Sequence, residues 1–342
     1  MLHIQENKDL SSLSTFRLKG TARYFAQITD KSDIADAYAF AESHAIPVVI
    51  IGGGSNTIFA EPQLEALVLQ IAIPGFEQVG DASPTTTIFR FGAGEVWDSV
   101  VERTVALGYS GIEALSAIPG FVGGTPVQNV GAYGQEVSST IMSLEAYDTA
   151  LGGFVTFMNE DCRFQYRDSY FKGEGKGRYV IVSVDFLLSK NKPEIPKYPG
   201  VAEYFTRHNI TDPTLLDIRN AIIEIRKTKL PDPKEIASVG SFFKNPFIPA
   251  EQGLILKAKF EKAVIFPVDE STVKVGAGWM LETLGYRGKD FGTLMCYPGN
   301  AMVIVNKGEA TVEQLKTLVA EIQQRVLETF GVQIEPEPIF VE

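Results

Sequence analysis

Two glycine-rich stretches stand out in the chain: IIGGGSNTIF at residues 50–59 and IPGFVGGTPVQNVGAYGQE at residues 118–136. The first continues an apolar, β-branched run at residues 47–51, which is typical of a buried parallel strand. The second has almost no hydrophobic periodicity, and so long a stretch without regular structure is usually functional or disordered. Its apolar content argues against disorder. Clustered glycines let a backbone turn tightly or approach a ligand closely.

The residues before the first stretch predict a small βαβ unit. Residues 24–28 have the composition of a strand, and Ser32 is placed to cap a helix with apolar positions from Ile34 to Ala41. The strand at residues 47–51 then leads into the glycine loop, which we expect at its carboxyl end.

Neither candidate for a Rossmann fingerprint, G-x-G-x-x-G/A, is complete. Gly52-Gly-Gly54 is followed by Ser-Asn-Thr, and Gly92-Ala-Gly94 is followed by Glu-Val-Trp, so the last position fails in both. Successive backbone N–H groups in tight turns make anion-binding concavities. Two such loops can hold a pyrophosphate from both sides; the alternative is that both are only tight turns.

The rest of the chain alternates between strands and helices. Strands are predicted over residues 67–93, 143–148, 153–159 and 179–188, with a helix at 97–107 that Gly108 ends. The Lys- and Pro-rich segment SKNKPEIPKYP, residues 189–199, predicts a domain boundary.

The last third predicts two helices. The apolar face of the first runs from Leu215 to Ile225, and this helix must end before Pro231. The second begins with a capping box formed by Thr311 and Gln314.

Composition excludes several classes of protein. A chain of 342 residues usually forms two or three domains, and a net charge of −11 argues against nucleic-acid binding. Two cysteines and three scattered histidines predict no zinc site and a reducing compartment. We expect a cytoplasmic protein, because no secretory signal or membrane span is recognisable, and we predict no obligate protein partner.

Taken together, the motifs resemble one family. IIGGGSNTIF, IPGFVGGTPVQNVGAYGQE, CRFQYRDSYFK, KLPDPK, GSFFKNP, AGWMLE and IEPEPIF resemble the UDP-N-acetylenolpyruvoylglucosamine reductases, in the family's order and over nearly the whole chain. The resemblance implies an α+β fold with a two-lobed FAD-binding region of the vanillyl-alcohol-oxidase type and a C-terminal α+β substrate-binding domain. The implied segments are 1–189 for FAD (lobes 1–66 and 67–189), 190–209 for a connector with a tyrosine lid, 210–330 for substrate, and 331–342 for a strand returning to the active site.

The implied activity is the reduction of UDP-N-acetylglucosamine enolpyruvate to UDP-N-acetylmuramate by FAD and NADPH, a step in peptidoglycan precursor synthesis. Two alternatives remain: another FAD oxidoreductase of the same fold, or a catalytically silent nucleotide-sugar-binding protein. No His or Cys lies between residues 45 and 161, which excludes a covalent FAD tether from that segment.

The resemblance also implies a catalytic trio: Arg167 of YRDS, Ser241 of GSFFKNP and Glu337, the second glutamate of IEPEP. Each residue has a simpler explanation. Arg167 next to Asp168 can be a surface ion pair, Ser241 after Gly240 can be a turn or cap residue, and Glu337 between two prolines can belong to an exposed tail.

The expected cofactor-binding residues lie in the two glycine stretches: Gly52, Gly53, Gly54, Ser55, Asn56, Thr57, Pro119, Gly120, Gly123, Gly124, Thr125, Gln128, Asn129, Gly131, Ala132 and Tyr133. The resemblance suggests Tyr198, Lys229, Asn245 and Asn300 for the UDP-sugar substrate. Arg226 lies one turn before Lys229, so both can meet its diphosphate. At Asn300 the family commonly has a glutamine.

Overall fold

The computed structural model describes residues 2–342. The strands in chain order are β1 (Gln5–Asp9), β2 (Thr21–Ile28), β3 (Val48–Ile51), β4 (Thr57–Phe59), β5 (Gln63–Ile71), β6 (Phe76–Ser83), β7 (Thr86–Gly92), β8 (Gly131–Ala132), β9 (Gln135–Glu136), β10 (Ile141–Asp148), β11 (Gly153–Met158), β12 (Tyr179–Ser189), β13 (Ala237–Ser241), β14 (Phe247–Pro249), β15 (Ile265–Pro267), β16 (Thr272–Val275), β17 (Leu294–Cys296), β18 (Val303–Asn306) and β19 (Ile339–Val341). The α-helices are α1 (Asp33–Ser43), α2 (Trp97–Ala106), α3 (Pro199–Arg207), α4 (Leu215–Lys229), α5 (Ala250–Lys259), α6 (Ala277–Thr283) and α7 (Val312–Phe330).

The chain folds into two compact units. The first unit comprises residues 2–8, 21–54 and 63–227, and the second comprises residues 9–20, 55–62 and 228–342. The chain therefore passes from one unit to the other several times, and one of these passages divides the first glycine stretch after Gly54.

The amino-terminal part of the first unit contains the predicted βαβ arrangement. Its four-stranded sheet has the order β1-β2-β5-β3, and both β2 and β3 run parallel to β5. Ile34, Ala37 and Ala41 of α1 are buried against this sheet. The prediction of a buried parallel strand before the glycine loop is confirmed in its parallel pairing with β5. It is wrong in its burial, since β3 is an edge strand and only Ile51 is buried.

The remainder of the first unit is built on an antiparallel sheet of five strands, in the order β11-β10-β12-β7-β6. Helix α2 covers it with the fully buried Trp97, Val100 and Val101. The helix ends at Ala106, and Gly108 follows with φ +80°, as the sequence predicts. The predicted strands at 67–93, 143–148, 153–159 and 179–188 are confirmed within a few residues.

Helices α3 and α4 lie at the end of the chain segment that forms the first unit. Their apolar residues, including Val201, Ile218 and Ile222, form one buried cluster with Ala114. The compact units therefore depart from the predicted domain boundaries: residues 190–227 pack with the first unit because this cluster holds them there, whereas 9–20 and 55–62 pack with the second.

The second unit has one large core around α7. It contains two three-stranded antiparallel sheets, β13-β18-β17 and β14-β16-β15, and the parallel pair β19-β4. The capping box of α7 is confirmed, since Thr311 accepts from Gln314 N–H and the Gln314 side chain accepts from Thr311 N–H. Within residues 2–342, no helix is long and apolar enough to cross a membrane.

Candidate functional site

The two glycine stretches approach each other closely inside the first unit. A Cβ atom on Gly53 would lie 3.0 Å from Gly120 Cα and 3.2 Å from Phe121 Cδ1. Gly54 and Gly120 have φ values of +66° and +122°, which L side chains rarely adopt. Glycine is therefore required at position 53 by space and at the other two by backbone conformation.

Two neighbouring glycines in the second stretch have different surroundings. A Cβ atom on Gly123 would lie 2.7 Å from Ala93 Cβ, and its N–H donates to Ala93 O, so Gly123 packs against the end of β7. A Cβ atom on Gly124 would have no heavy atom within 4 Å, apart from its chain neighbours. Gly124 is exposed, so it leaves open space beside the loop.

Two residues expected to bind the cofactor are buried and bonded within the loop. Thr125 is 3% exposed and donates from Oγ1 to Val122 O at 2.8 Å. Asn129 is 1% exposed, and its Nδ2 donates to Glu136 Oε2 at 2.9 Å while its Oδ1 accepts from Ser138 N–H at 3.1 Å. In the structure, these two side chains stabilise the loop itself.

Arg167 is held against the end of the second stretch. Its Nη2 donates to Gly131 O at 2.6 Å, and its own backbone is left-handed, with φ +55°. A Cβ atom on Gly131 would lie 3.2 Å from Arg167 Nη1. The structure thus brings this predicted catalytic residue to the glycine loop of its own unit.

Tyr133 joins the second stretch to the connector and to α4. Its ring meets the ring of Tyr198 edge-on, with centroids 5.0 Å apart and planes at 88°. Arg226 donates from Nε to Ala117 O at 3.2 Å, and its side chain is hydrogen-bonded to Tyr133. Burial lowers the pKa of Arg226, against the opposing effects of Tyr133 and Asp98.

An ion pair that the sequence analysis does not identify lies beside this group. Arg219 is 5% exposed and binds Asp98 through both nitrogens, Nη1 to Oδ1 at 2.6 Å and Nη2 to Oδ2 at 3.1 Å. Burial opposes ionisation of Asp98, but the bonds from Arg219 and from the Ala117 N–H lower its pKa overall. The available signal is the spacing of Arg219 and Arg226, which places both on one face of α4 two turns apart.

In the second unit, the end of the first glycine stretch is joined to the C-terminal segment. Ser55, Asn56 and Thr57 belong to this unit. Asn56 donates from Nδ2 to Glu337 O at 3.3 Å, and Ile339 N–H donates to Asn56 O at 2.9 Å. These bonds continue into the parallel pairing of β19 with β4.

Ser241 lies at the end of β13, where it pairs with Val303. The register of this pairing shifts between Ser238 and Ser241, and Gly240 has φ +74°. Such a bulge redirects the side chain that follows it. Ser241 is therefore the last residue of a strand and directly follows a glycine with positive φ.

Glu337 is fixed beside Ser241 through the backbone. Its N–H donates to the carbonyl of Phe242, the residue after Ser241, at 2.8 Å, and Pro336 forms a bridge with Phe243. Glu337 is half-buried, so the alternative that it belongs to an exposed tail is wrong.

Three further residues of the second unit are expected to bind substrate. Two are asparagines whose side chains are hydrogen-bonded to the backbone, and one is an exposed lysine. Asn245 accepts through Oδ1 from Ala277 N–H at 2.9 Å, at the start of α6. Asn300 accepts through Oδ1 from Met302 N–H at 3.0 Å, inside a tight turn. Both amide oxygens therefore shape the local backbone. Lys229 is exposed in the last turn of α4.

The two cysteines are poor candidates for chemistry. Cys162 and Cys296 are buried free thiols, and burial raises their pKa values to about 12 and about 11. Both thiols are therefore protonated at neutral pH, and neither is a ready nucleophile.

Comparisons with known proteins match both parts of the chain. Residues 22–157 match the family model described as FAD binding domain. Residues 232–341 match the model described as UDP-N-acetylenolpyruvoylglucosamine reductase, C-terminal domain.

Relatives match over the full length. The chain is 42% identical to a UDP-N-acetylenolpyruvoylglucosamine reductase of Ralstonia nicotianae, over 96% of each chain, and 40% identical to one of Bdellovibrio bacteriovorus, over 99% of each. A solved structure of the reductase from Thermus caldophilus aligns over 100% of each chain with a TM-score of 0.70 and 20% identity, which confirms the α+β fold. The chain belongs to the UDP-N-acetylenolpyruvoylglucosamine reductase family.

Proposed function

We propose that this protein reduces the enolpyruvyl double bond of UDP-N-acetylglucosamine enolpyruvate with NADPH, through a bound FAD, and so forms UDP-N-acetylmuramate. The observation that carries the proposal is the 42% identity to a reductase of this name over 96% of both chains. A match over 96% of the relative supports the whole activity and not only a shared cofactor domain.

The glycine stretches fit the diphosphate of FAD. The close approach of Gly53 to Gly120 leaves no room for side chains between the two loops, while Gly124 opens onto free space. Loops of this kind present backbone N–H groups to an anion. FAD, when bound, carries the hydride from NADPH to the substrate; the remaining tasks fall to the protein.

Three residues assist the addition of hydride and proton across the double bond. When hydride adds to the β-carbon, negative charge develops on the α-carbon and its carboxylate. Arg167 neutralises this charge, and Glu337, when protonated, donates a hydrogen bond to the same oxygens. Ser241 delivers the proton from Oγ to the α-carbon. A hydroxyl is a weak acid, but the carbanionic intermediate is a strong base.

The proposed substrate contacts differ in how the structure supports them. Arg226 is hydrogen-bonded to Ala117 and Tyr133, so its guanidinium group is held in place and would meet the substrate as a fixed positive charge. Lys229 is exposed, and its flexible ammonium is suited to a diphosphate. Tyr198 is the proposed lid residue of the connector.

We place this reaction in the cytoplasm, in the synthesis of peptidoglycan precursors, and hence upstream of cell-wall growth, cell shape and division. The substrate and NADPH are the only partners that the proposal requires.

The test is an assay of the purified full-length protein. It should be yellow, release its FAD on acid precipitation, and oxidise NADPH only when the enolpyruvyl substrate is present. FAD that stays attached after acid, or substrate oxidation coupled to oxygen, would favour another oxidoreductase of the same fold. Substrate binding without NADPH oxidation would favour a silent binding protein.

A further inference from the structure

The backbone at Ala117, just before the second glycine stretch, has an unusual conformation. Its φ is +58°, in the left-handed region that residues other than Gly, Asn and Asp rarely enter. Three residues farther on, Gly120 makes the close approach to Gly53. The conformation of Ala117 therefore sets the direction in which the chain enters the contact between the two loops.

Both backbone polar groups of Ala117 are bound by side chains. Its N–H donates to Asp98 Oδ1 at 2.6 Å, and its carbonyl accepts from Arg226 Nε at 3.2 Å. Asp98 is in turn held by both nitrogens of the buried Arg219. Arg219 and Arg226 lie two turns apart on α4. This helix therefore holds the carbonyl of Ala117 directly through Arg226, and its N–H indirectly through Arg219 and Asp98.

The residue before Asp98 holds the same segment. Trp97 N–H donates to Gly120 O at 3.0 Å, and Trp97 Nε1 donates to Leu115 O at 3.0 Å. The first turn of α2 thus binds the segment before, at and after Ala117. A carboxylate at the first turn of a helix also gains from the helix dipole, so Asp98 is well placed to stay ionised.

We propose that Asp98 and Arg219 are positioning residues for the FAD site, because the ion pair between the half-buried Asp98 and the buried Arg219 keeps Ala117 left-handed and so presents the second glycine stretch to the diphosphate. The inference rests on the proposed function, since it assumes that FAD binds there. It adds two residues, neither of which contacts the cofactor, whose removal should weaken FAD binding.

A similar ion pair elsewhere in the first unit supplies a matched control. Asp148 binds Arg178 through both nitrogens, at 2.9 and 2.6 Å, and its Oδ1 accepts from the N–H of Ala150 at 2.9 Å. The chemistry is the same, but this pair holds the turn between β10 and β11 and not a glycine loop. Asp148→Ala therefore reports what loss of such a pair does to general stability.

The experiment dilutes full-length holoprotein and measures free-flavin fluorescence to obtain the Kd for FAD, alongside thermal unfolding. Asp98→Ala is expected to weaken FAD binding by roughly tenfold. This is the change in Kd that corresponds to the cost of holding one residue other than glycine in the left-handed conformation, which Asp98 no longer offsets. Asp98→Asn keeps an acceptor for the Ala117 N–H, so it should fold if Asp98→Ala does not, and lose less affinity. Asp148→Ala should lower the unfolding temperature yet bind FAD like the unchanged protein.

The decisive variant is Asp98→Ala combined with Ala117→Gly. Glycine adopts positive φ without strain, so the double variant should recover most of the FAD affinity while its unfolding temperature stays low. Absence of recovery, or equal losses of affinity in Asp98→Ala and Asp148→Ala, would overturn the positioning role. If the unchanged protein binds no FAD, the proposed function itself fails, which is a separate and recognisable outcome.

Discussion

Glu113 is the most buried carboxyl group near the second glycine stretch. It is 1% exposed, and its Oε2 accepts from Gly111 N–H at 2.6 Å. Burial raises the pKa of Glu113 above its usual 4.5, against the lowering effect of its hydrogen bonds. The folded protein therefore favours the protonated carboxyl more than the unfolded chain does.

This shift predicts a pH dependence of stability. A raised folded-state pKa gives stability that is fully present below about pH 4.5 and is lost as pH rises through the folded value. Gln does not titrate, so the unfolding temperature of Glu113→Gln relative to the unchanged protein should increase from about pH 4 to about pH 8. Glu309→Gln, at an exposed position, is the control for the loss of a surface carboxylate. A flat difference for Glu113→Gln would contradict the assignment.

Gly124 allows a test of the proposed FAD site at a single residue. A Cβ there would meet no other part of the protein within 4 Å, so Gly124→Val should fold normally. If the open space belongs to the cofactor, the variant should be largely colourless, and its flavin-to-protein absorbance ratio measures this. Full flavin occupancy would disprove the site. Asn56→Leu should also lose flavin, but it additionally removes a bond to Glu337.

Among the elements, the connector before α3 carries the proposed lid. Tyr198 is the residue before α3, and its ring packs edge-on against Tyr133 of the second glycine stretch. A ring in this position contacts the loop that is proposed to hold the cofactor, and its hydroxyl is the group proposed to bind substrate.

Tyr198→Phe keeps the ring contact and removes the hydroxyl. It should raise KM for the UDP-sugar by roughly three- to tenfold, the range expected for one hydrogen bond, with little change in flavin reduction by NADPH. Tyr204→Phe, in the same helix cluster, is the control and should leave KM unchanged. Limited proteolysis of residues 190–209 should slow when substrate binds; identical cleavage with and without substrate would refute the lid.

At the scale of elements, local sequence patterns predicted the individual helices and strands well, but they predicted poorly which elements lie next to each other. The capping box of α7 was predictable because Thr311 and Gln314 interact across three residues. The edge position of β3 was not, because periodicity does not record strand order. The glycine loops were found by their local density, whereas Asp98 and Arg219 are separated by 121 residues and neither has a motif.

For the molecule as a whole, the predicted catalytic residues are divided between the two compact units. Arg167 and the close contact of the glycine stretches belong to the first unit, and Ser241 and Glu337 belong to the second. The chain also crosses between the units elsewhere, since residues 9–20 and 55–62 leave the first unit and place residues such as Phe16 and Ile58 in the core of the second. The domain boundaries predicted from the sequence divide the chain into consecutive segments, whereas each compact unit consists of three separate segments.

The last prediction separates the two halves of the catalytic cycle. Bound FAD would be reduced by NADPH and reoxidised by the enolpyruvyl substrate; Ser241 is proposed to act only in the reoxidation. Ser241→Ala should therefore leave folding, flavin content and flavin bleaching by NADPH nearly unchanged. Reoxidation by the substrate should slow by about 10²–10⁴-fold or more, the usual contribution of a general acid.

Stopped-flow absorbance of the flavin measures both steps in one preparation. Ser238→Ala is a matched control, because Ser238 lies on the same strand but is buried at 3% exposure and pairs with Val305. It should leave both rates near those of the unchanged protein. If Ser241→Ala slows bleaching by NADPH as much as reoxidation, Ser241 positions the cofactor or supports the bulge after Gly240. The proton must then come from another group. If instead only reoxidation slows, the proton donor lies on the second unit, at the residue that the bulge redirects.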